Sequence, residues 1–312
     1  MFVKVFFGGV GGTYPREDKG MPCIFVKMDN RIFSLDFGEG CQKAYLKYKL
    51  GVNVPLTILF SHLHGDHVLG IKPFLQTLSL LNRTRKVTII GPFQTEHYVL
   101  NNLLHEISFP IEIVEIYKPE GIIDFGDAKI NYIKAPHGIT SYSYILRLPD
   151  KINLDPIVLQ RDNIPPFMRK TLLKEGYIKL NKKTLFLEKY IKTRTKGIKI
   201  AYSGDTLPNY RFASKAKHSD LLIHEATLTH KDLLANPTIP HSSAKQAAHI
   251  ARHAKTKLLA LVHVSNRYEN VKPLLHEARK IFPRTIIPSK DTILDISTNE
   301  YNTILVMRKL SE

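Results

Sequence analysis

The chain has 312 residues, 43% of them hydrophobic, which is enough to fill a sizeable core and excludes a disordered tail protein. No stretch approaches the ~20 apolar residues of a membrane helix, so a soluble cytoplasmic protein without a membrane partner is expected. A net charge of +17 asks for a polyanionic partner, while Cys23 and Cys41, too few for a disulfide framework, are expected as buried thiols.

Phe2 to Phe7 opens the chain as a strand that stops at glycines. Ile24 to Met28 and Ile32 to Leu35 follow as a hairpin turning at Asp29 and Asn30. A helix over Glu39 to Lys49 leads into the strand Leu56 to Phe60. Strands at Val87 to Ile90, Ile111 to Ile116 and Ile130 to Lys134 then alternate with helices near Phe74 to Leu81 and Glu96 to Ile107. After Lys199 the alternation resumes with strands at Ile198 to Tyr202, Leu221 to Ile223 and Leu258 to His263. Helices are expected at Ser242 to Ala254 and Val271 to Ile281, with closing strands at Thr285 to Ile287 and Thr303 to Met307. Two such halves fit one domain over 1–312, built of two packed sheets flanked by helices.

The middle differs. Residues 149–199 hold thirteen Lys or Arg against five acids, and the prolines 165 and 166 break any clean period. This segment is read as a basic arm inserted into the domain.

The strongest chemical signal is Ser61-His62-Leu63-His64-Gly65-Asp66-His67, placed directly after an apolar strand. In an extended strand end His62 and His64 point to the same side, and Gly65 allows the turn that brings Asp66 and His67 round. Imidazole and carboxylate suit zinc, with manganese or iron possible by ligand type. Two ions need further ligands, and three candidates stand at other strand ends: His137, Asp205 and His263. Gly8, Gly9, Gly11 and Gly12 lack the following helix of a dinucleotide fingerprint and are read as a turn near the site. Histidines 97, 105, 218, 230, 249, 253 and 276 lack ligand spacing and are assigned to surface or packing.

HxHxDH, then a lone histidine, a Gly-Asp-Thr aspartate and a late histidine, together resemble the metallo-β-lactamase superfamily. Asp36-Phe37-Gly38-Glu39-Gly40, His224-Glu225-Ala226-Thr227, His241-Ser242-Ser243 and His263-Val264-Ser265-Asn266-Arg267-Tyr268 narrow the resemblance to short-form ribonuclease Z, over about residues 1 to 290. The resemblance implies a four-layer αββα sandwich and an endonuclease that removes 3′ trailers from precursor tRNA, leaving a 3′-hydroxyl on the tRNA and a 5′-phosphate on the trailer. It implies two zinc ions per chain: His62, His64 and His137 on one, Asp66, His67 and His263 on the other, with Asp205 between.

It further gives Asp66 the orientation of the attacking water and assigns Glu225 and His241 to protonation of the leaving oxygen. His224 packs or orients Glu225. The 149–199 arm becomes a tRNA-binding exosite, with Arg169, Lys170, Lys174, Ser265 and Arg267 as RNA contacts, in a homodimer whose arms serve opposite sites. One departure stands out: Ile164-Pro165-Pro166-Phe167 puts Pro-Phe where bacterial members carry Gly-Pro, although Leu173-Lys174-Glu175-Gly176 matches. A small-molecule phosphodiesterase of the same fold is opposed by the arm's charge. A tRNA-binding module without catalysis is opposed by the complete ligand set.

Overall fold

In the computed structural model, which describes residues 1–28, 30–101 and 107–310, the apolar runs form two facing sheets. In chain order the elements begin β1 (Phe2–Gly9), β2 (Cys23–Lys27), β3 (Ile32–Leu35), α1 (Cys41–Lys47), β4 (Leu56–Leu59), α2 (Gly65–Val68) and α3 (Ile71–Leu80). They continue with β5 (Val87–Pro92), α4 (Thr95–Leu100), β6 (Ile111–Ile116), β7 (Glu120–Asp124), β8 (Lys129–Ala135) and β9 (Ser141–Leu148). Next come β10 (Lys151–Leu154), α5 (Pro156–Arg161), α6 (Pro166–Glu175), β11 (Tyr177–Leu180), β12 (Lys183–Phe186), β13 (Ile191–Thr195) and β14 (Ile198–Tyr202). The chain closes with α7 (Tyr210–Lys215), β15 (Leu221–Glu225), α8 (His230–Ala235), α9 (Ala244–Ala254), β16 (Leu259–Val262), α10 (Lys272–Arg279), β17 (Thr285–Ile286), β18 (Thr292–Thr298) and β19 (Thr303–Lys309).

Among the described residues the first sheet runs β19-β18-β1-β2-β3-β4-β5-β6 and the second β17-β16-β15-β14-β9-β8-β7. Strand alternation explains the layering. Inward residues of both sheets, among them Val5, Phe33, Leu59, Tyr144, Ile200 and Ile223, share one buried layer between the sheets. The other face of the first sheet (Phe25, Ile58, Ile89) packs on Tyr45 of α1 and on Phe74 and Leu78 of α3. The other face of the second sheet (Ala201, Leu222, Leu261) packs on Phe212 of α7, on the small stripe Ala247, Ala248 and Ala251 of α9, and on Leu274 of α10. The result is the four-layer αββα sandwich that the sequence resemblance implied.

The turn expected at Asp29, the C-terminal part of the helix expected to reach Ile107, and His105 lie outside the described residues. Strands β7, β9 and β18 are additions to the elements expected from sequence. In β9 the run Ser141-Tyr142-Ser143-Tyr144 is wholly buried although half its residues are serines, because their hydroxyls donate to the carbonyls of Asp205 and Ser203. Polar lettering therefore hid a central strand.

The cysteines correct an expectation. Cys23 and Cys41 are joined as a disulfide, with Cα atoms 5.6 Å apart, rather than standing as separate thiols. The fold-back of β3 along β2 delivers the start of α1 beside the start of β2, a proximity that a separation of 18 residues does not advertise.

Residues between Leu148 and Ile198 leave the second sheet and return to it, and these two end residues are themselves cross-strand partners of β9 and β14. The excursion is more ordered than its broken period suggests. β10 pairs with β13, β11 with β12, and Leu159, Ile164, Leu172, Ile178, Leu187 and Tyr190 bury one another in a small core of their own. Pro166 stands in the first turn of α6, where its missing N–H costs nothing. Among the described residues no helix is long and apolar enough to cross a membrane.

Candidate metal centre

The loops that follow β4, β8, β14 and β16 meet at one edge of the sandwich, and each carries polar side chains into the same space. Beyond β4, His62 and His67 are wholly buried and His64 is exposed. His64 is extended and caps the four-residue helix α2. The turn thus comes from a switch from extended to helical backbone at His64, and Gly65 has no left-handed φ, in contrast to the role expected for it.

The ligand candidates from distant segments arrive at these histidines. Nδ1 of His64 lies 2.9 Å from Nε2 of His62 and 3.4 Å from Nε2 of His137. Nε2 of His263 lies 3.3 Å from an oxygen of Asp66, and Nε2 of His67 lies 3.6 Å from the same oxygen. Oδ2 of Asp205 stands between the two groups, 3.8 Å from Nε2 of His62, 3.4 Å from that of His67 and 3.3 Å from that of His263. His62 with His64 and His137, and Asp66 with His67 and His263, each offer ligand atoms within 4.8 Å of one another.

The far nitrogens of His62, His67, His137 and His263 each have a partner. His67 Nδ1 donates to Asp36 Oδ2 at 2.7 Å, and His137 Nδ1 donates to the Pro240 carbonyl at 2.9 Å. Ser61 gives its hydroxyl proton to Asp36 at 2.8 Å and so accepts from His62 Nδ1 at 3.0 Å. Thr227 likewise donates to Glu225 at 2.7 Å and accepts from His263 Nδ1 at 3.0 Å. These bonds fix four tautomers with the Nε2 lone pair turned inward. Nε2 of His67 is buried with no hydrogen-bond partner, facing two carboxylates. A buried lone pair left this way among imidazoles and carboxylates is the donor set of a divalent cation of the zinc class.

The charges agree with so crowded a site. Burial and the neighbouring His67 hold His62 well below the usual histidine range. Burial also opposes the charge on His67, but the Asp205 and Asp36 carboxylates overcome it and raise this imidazole well above the usual range, so its inward Nε2 favours a positive charge, whether a proton or a metal ion that takes the lone pair in its place. Asp205 is held well below the carboxylate range, against its burial, by His263 and His67.

Backbone geometry is spent on the same region. Asp36 and His263 both adopt left-handed φ, at 56° and 55°, a conformation that costs a non-glycine residue of order 1 kcal/mol or more. Gly204 is also left-handed, and a Cβ there would stand 2.6 Å from Ser61 Cβ, so only glycine brings Asp205 this close. Gly12 passes so near the His263 ring that a Cβ would lie 2.4 Å from it, which places the glycine-rich turn against the site. The same turn donates Thr13 N–H to Asp66 at 3.0 Å.

Glu225 ends β15 with only 1% of its surface exposed. Its Oε1 accepts from Thr206 N at 2.7 Å and from Nδ1 of His241 at 3.0 Å. His241 is the partly open member of this pair. Burial pulls its imidazole down, but Glu225 raises it further, to about 9. Ser242 and Ser243 do serve the following helix, since Ser243 forms a capping box with Gln246. His224 points away and hydrogen-bonds the Glu225 carbonyl at 2.7 Å.

The RNA contacts expected on the arm belong to elements outside this cluster. Lys170 and Lys174 are exposed on α6, while Arg169 is half-buried with Nε covered. Arg267 is exposed near the centre, and Ser265 hydrogen-bonds the Thr227 carbonyl through its backbone N–H. Sequence reasoning gave no role to Asp36 or Thr227, which hold His67 and His263. A carboxylate straight after the strand Ile32–Leu35 was the available signal for Asp36. Thr227 had none beyond its place in the His224 to Thr227 motif.

No family model matches the chain. A ribonuclease Z of Saccharolobus solfataricus is 35% identical over 290 residues, covering 92% of this chain and 97% of that protein. A ribonuclease Z of Sulfolobus acidocaldarius is 33% identical over 289 residues, covering 91% and 96%. Among solved structures, the short form of human tRNase Z superposes with a TM-score of 0.66 at 19% identity over 96% of this chain and 98% of that one. The metallo-β-lactamase fold protein YhfI of Bacillus subtilis superposes with a TM-score of 0.67 at 16% identity, covering 93% and 98%. At those identities the superpositions speak to the fold.

Proposed function

The chain belongs to the ribonuclease Z family, and from that premise we propose that it is a zinc-dependent endoribonuclease that removes 3′ trailers from precursor tRNA. The observation that carries the reading is the convergence of seven candidate ligands, His62, His64, Asp66, His67, His137, Asp205 and His263, beside the Glu225–His241 pair. His62, His64 and His137 would hold one ion, Asp66, His67 and His263 the other, with Asp205 shared. Zinc bound there supplies Lewis acidity and a water of near-neutral pKa, and manganese suits the same oxygen and nitrogen donors.

The chain's own groups divide the remaining work. Asp66, held by Thr13 N–H, orients the attacking water. His241 presents its free Nε2 while Glu225 grips Nδ1, an arrangement suited to handing a proton to the leaving 3′-oxygen. Cleavage would leave a 3′-hydroxyl on the tRNA and a 5′-phosphate on the trailer.

Residues 149–199 would serve as the tRNA-binding arm, their surplus of eight positive charges meeting the phosphate backbone through Lys170, Lys174 and Arg169. Ser265 and Arg267 would contact RNA nearer the cut. We place the enzyme in the cytoplasm as a homodimer in which one subunit's arm holds tRNA for the other's centre. The arm's charge favours this reading over a small-molecule phosphodiesterase. Incubation of the purified protein with a trailer-bearing precursor tRNA, followed by mapping of both product ends, tests it. Intact precursor, or cuts scattered away from the trailer junction, would overturn it.

A further inference from the structure

Two aromatic rings stand exposed together on the edge of the sandwich that carries the centre. Phe93 follows the last residue of β5 and Tyr117 the last residue of β6, and they are 59% and 69% exposed. Their ring centroids are 5.8 Å apart, tilted at 43°. Solvent-exposed aromatic pairs forfeit the burial that normally repays such residues, which calls for an occupant.

Topology says where the pair sits. β4, β5 and β6 are parallel neighbours, so the ends of β5 and β6 lie on the edge to which β4 delivers His62 and His64. Residues 117–119 cross from the first sheet to the second, and the Pro119 carbonyl accepts from Lys134 N at 2.7 Å, three residues before His137. Phe93 and Tyr117 therefore stand on that same edge, outward of β4, where the chain crosses toward the strand that delivers His137. The Tyr117 hydroxyl donates to Glu115 at 2.6 Å, which fixes the ring's direction and leaves its face free. Exposed Lys118 and Lys134 flank the crossover.

Resting on the nuclease reading above, we infer that Phe93 and Tyr117 form a stacking platform for one nucleobase flanking the scissile phosphate. A substrate strand that enters the centre from the β5 and β6 side meets these rings, and every base offers a flat π-face whatever its sequence. Stacking fixes a nucleotide without reading it, which suits an enzyme acting at one position on many precursors. The pair is a positioning device and takes no part in proton transfer.

The test is kinetic and uses the whole protein. Phe93→Ala and Tyr117→Ala should each lower kcat/KM on a precursor tRNA by roughly 5- to 150-fold, the range of one lost base–aromatic stack. Metal content and melting temperature should stay at wild type, and Phe93→Tyr and Tyr117→Phe should keep most activity. Precursors carrying a single abasic nucleotide at each of the first positions on either side of the cut supply the decisive arm. At one such position the abasic change should cost the wild type as much as the alanine substitution does, and should cost the alanine variants nothing more. Additive losses at every position would overturn the platform alone. Failure of wild-type protein to cut any precursor would overturn the nuclease reading and the platform with it. If the alanine variants instead changed the sedimentation of the free protein, the rings would be a contact between copies of the chain, and the platform would be wrong.

Discussion

Oδ2 of Asp36 accepts from Nδ1 of His67 at 2.7 Å, and both side chains are wholly buried. The same carboxylate also takes the Ser61 backbone N–H at 2.7 Å, the Ser61 hydroxyl at 2.8 Å and the Tyr202 hydroxyl at 2.5 Å. Asp36 therefore sets both the direction and the basicity of His67. Asp36→Asn keeps the volume and removes the charge. Metal affinity, read by competition with a coloured chelator, should fall by about 10- to 100-fold. Unchanged affinity would reduce Asp36 to a folding residue.

Gly12→Ala tests how the glycine-rich turn supports the centre. The added Cβ would sit 2.4 Å from Cε1 and Nε2 of His263, so the ring or the turn must move. Because Val10 also receives the His263 N–H at 2.7 Å, neither moves freely. Metal content per chain should drop below that of wild type at equal total metal, with little change in circular dichroism. A fully loaded variant would show that the turn has slack.

Asp205→Ala bears on the number of ions. Oδ2 of Asp205 is within 3.8 Å of ring nitrogens from both ligand groups, so its removal should release at least one ion and most activity. Elemental analysis that finds one ion or none in fully active wild-type protein would defeat the dinuclear arrangement.

His241→Ala separates proton transfer from binding. Cleavage of precursor tRNA should slow by about 10²- to 10⁴-fold, the usual contribution of general acid catalysis, with RNA affinity and metal content retained. Wild-type turnover would leave His241 as the residue that merely precedes the capping box of α9.

How much of this was legible in sequence depends on how contiguous each feature is. His62, His64, Asp66 and His67 fall within six residues, and the strand before them fixes their direction, so they announced themselves. His137, Asp205 and His263 could be named because each follows an apolar strand. Asp36 and Thr227 act one bond further out, and nothing in their own segments says which imidazole they will meet. The Cys23–Cys41 link and strand β9 were illegible for a related reason. Both depend on which segments the fold sets side by side, and β9 spells its central position in serine and tyrosine.

The arm can be removed at a place the structure supplies. Asp155 N–H donates to the Tyr190 carbonyl at 2.8 Å, so residues 155 and 190 are neighbours and a short glycine link can replace what lies between them. The β10–β13 pair and all seven candidate ligands stay in place. The deletion should lower tRNA affinity by on the order of 10²-fold or more and flatten its salt dependence, while hydrolysis of a small activated phosphodiester survives. Equal tRNA affinity and salt slope in both proteins would leave the arm a solvated loop.

The seven candidate ligands come from both sheets, four from the segment after β4 and three from the ends of β8, β14 and β16. Elsewhere the two sheets adhere through an oily layer, but at this rim the facing groups are charged or hydrogen-bonding and have no hydrophobic adhesion to offer. A divalent cation held there would act as a rivet through both plates. Catalyst and fastener would then be one object, since any ion bound only by the native state adds RT ln(1 + [ion]/Kd) to its stability. Chelation should accordingly loosen the sandwich from the catalytic rim inward, exposing backbone amides near Ser61 and Asp205 to exchange before those at the far ends of β4 and β14.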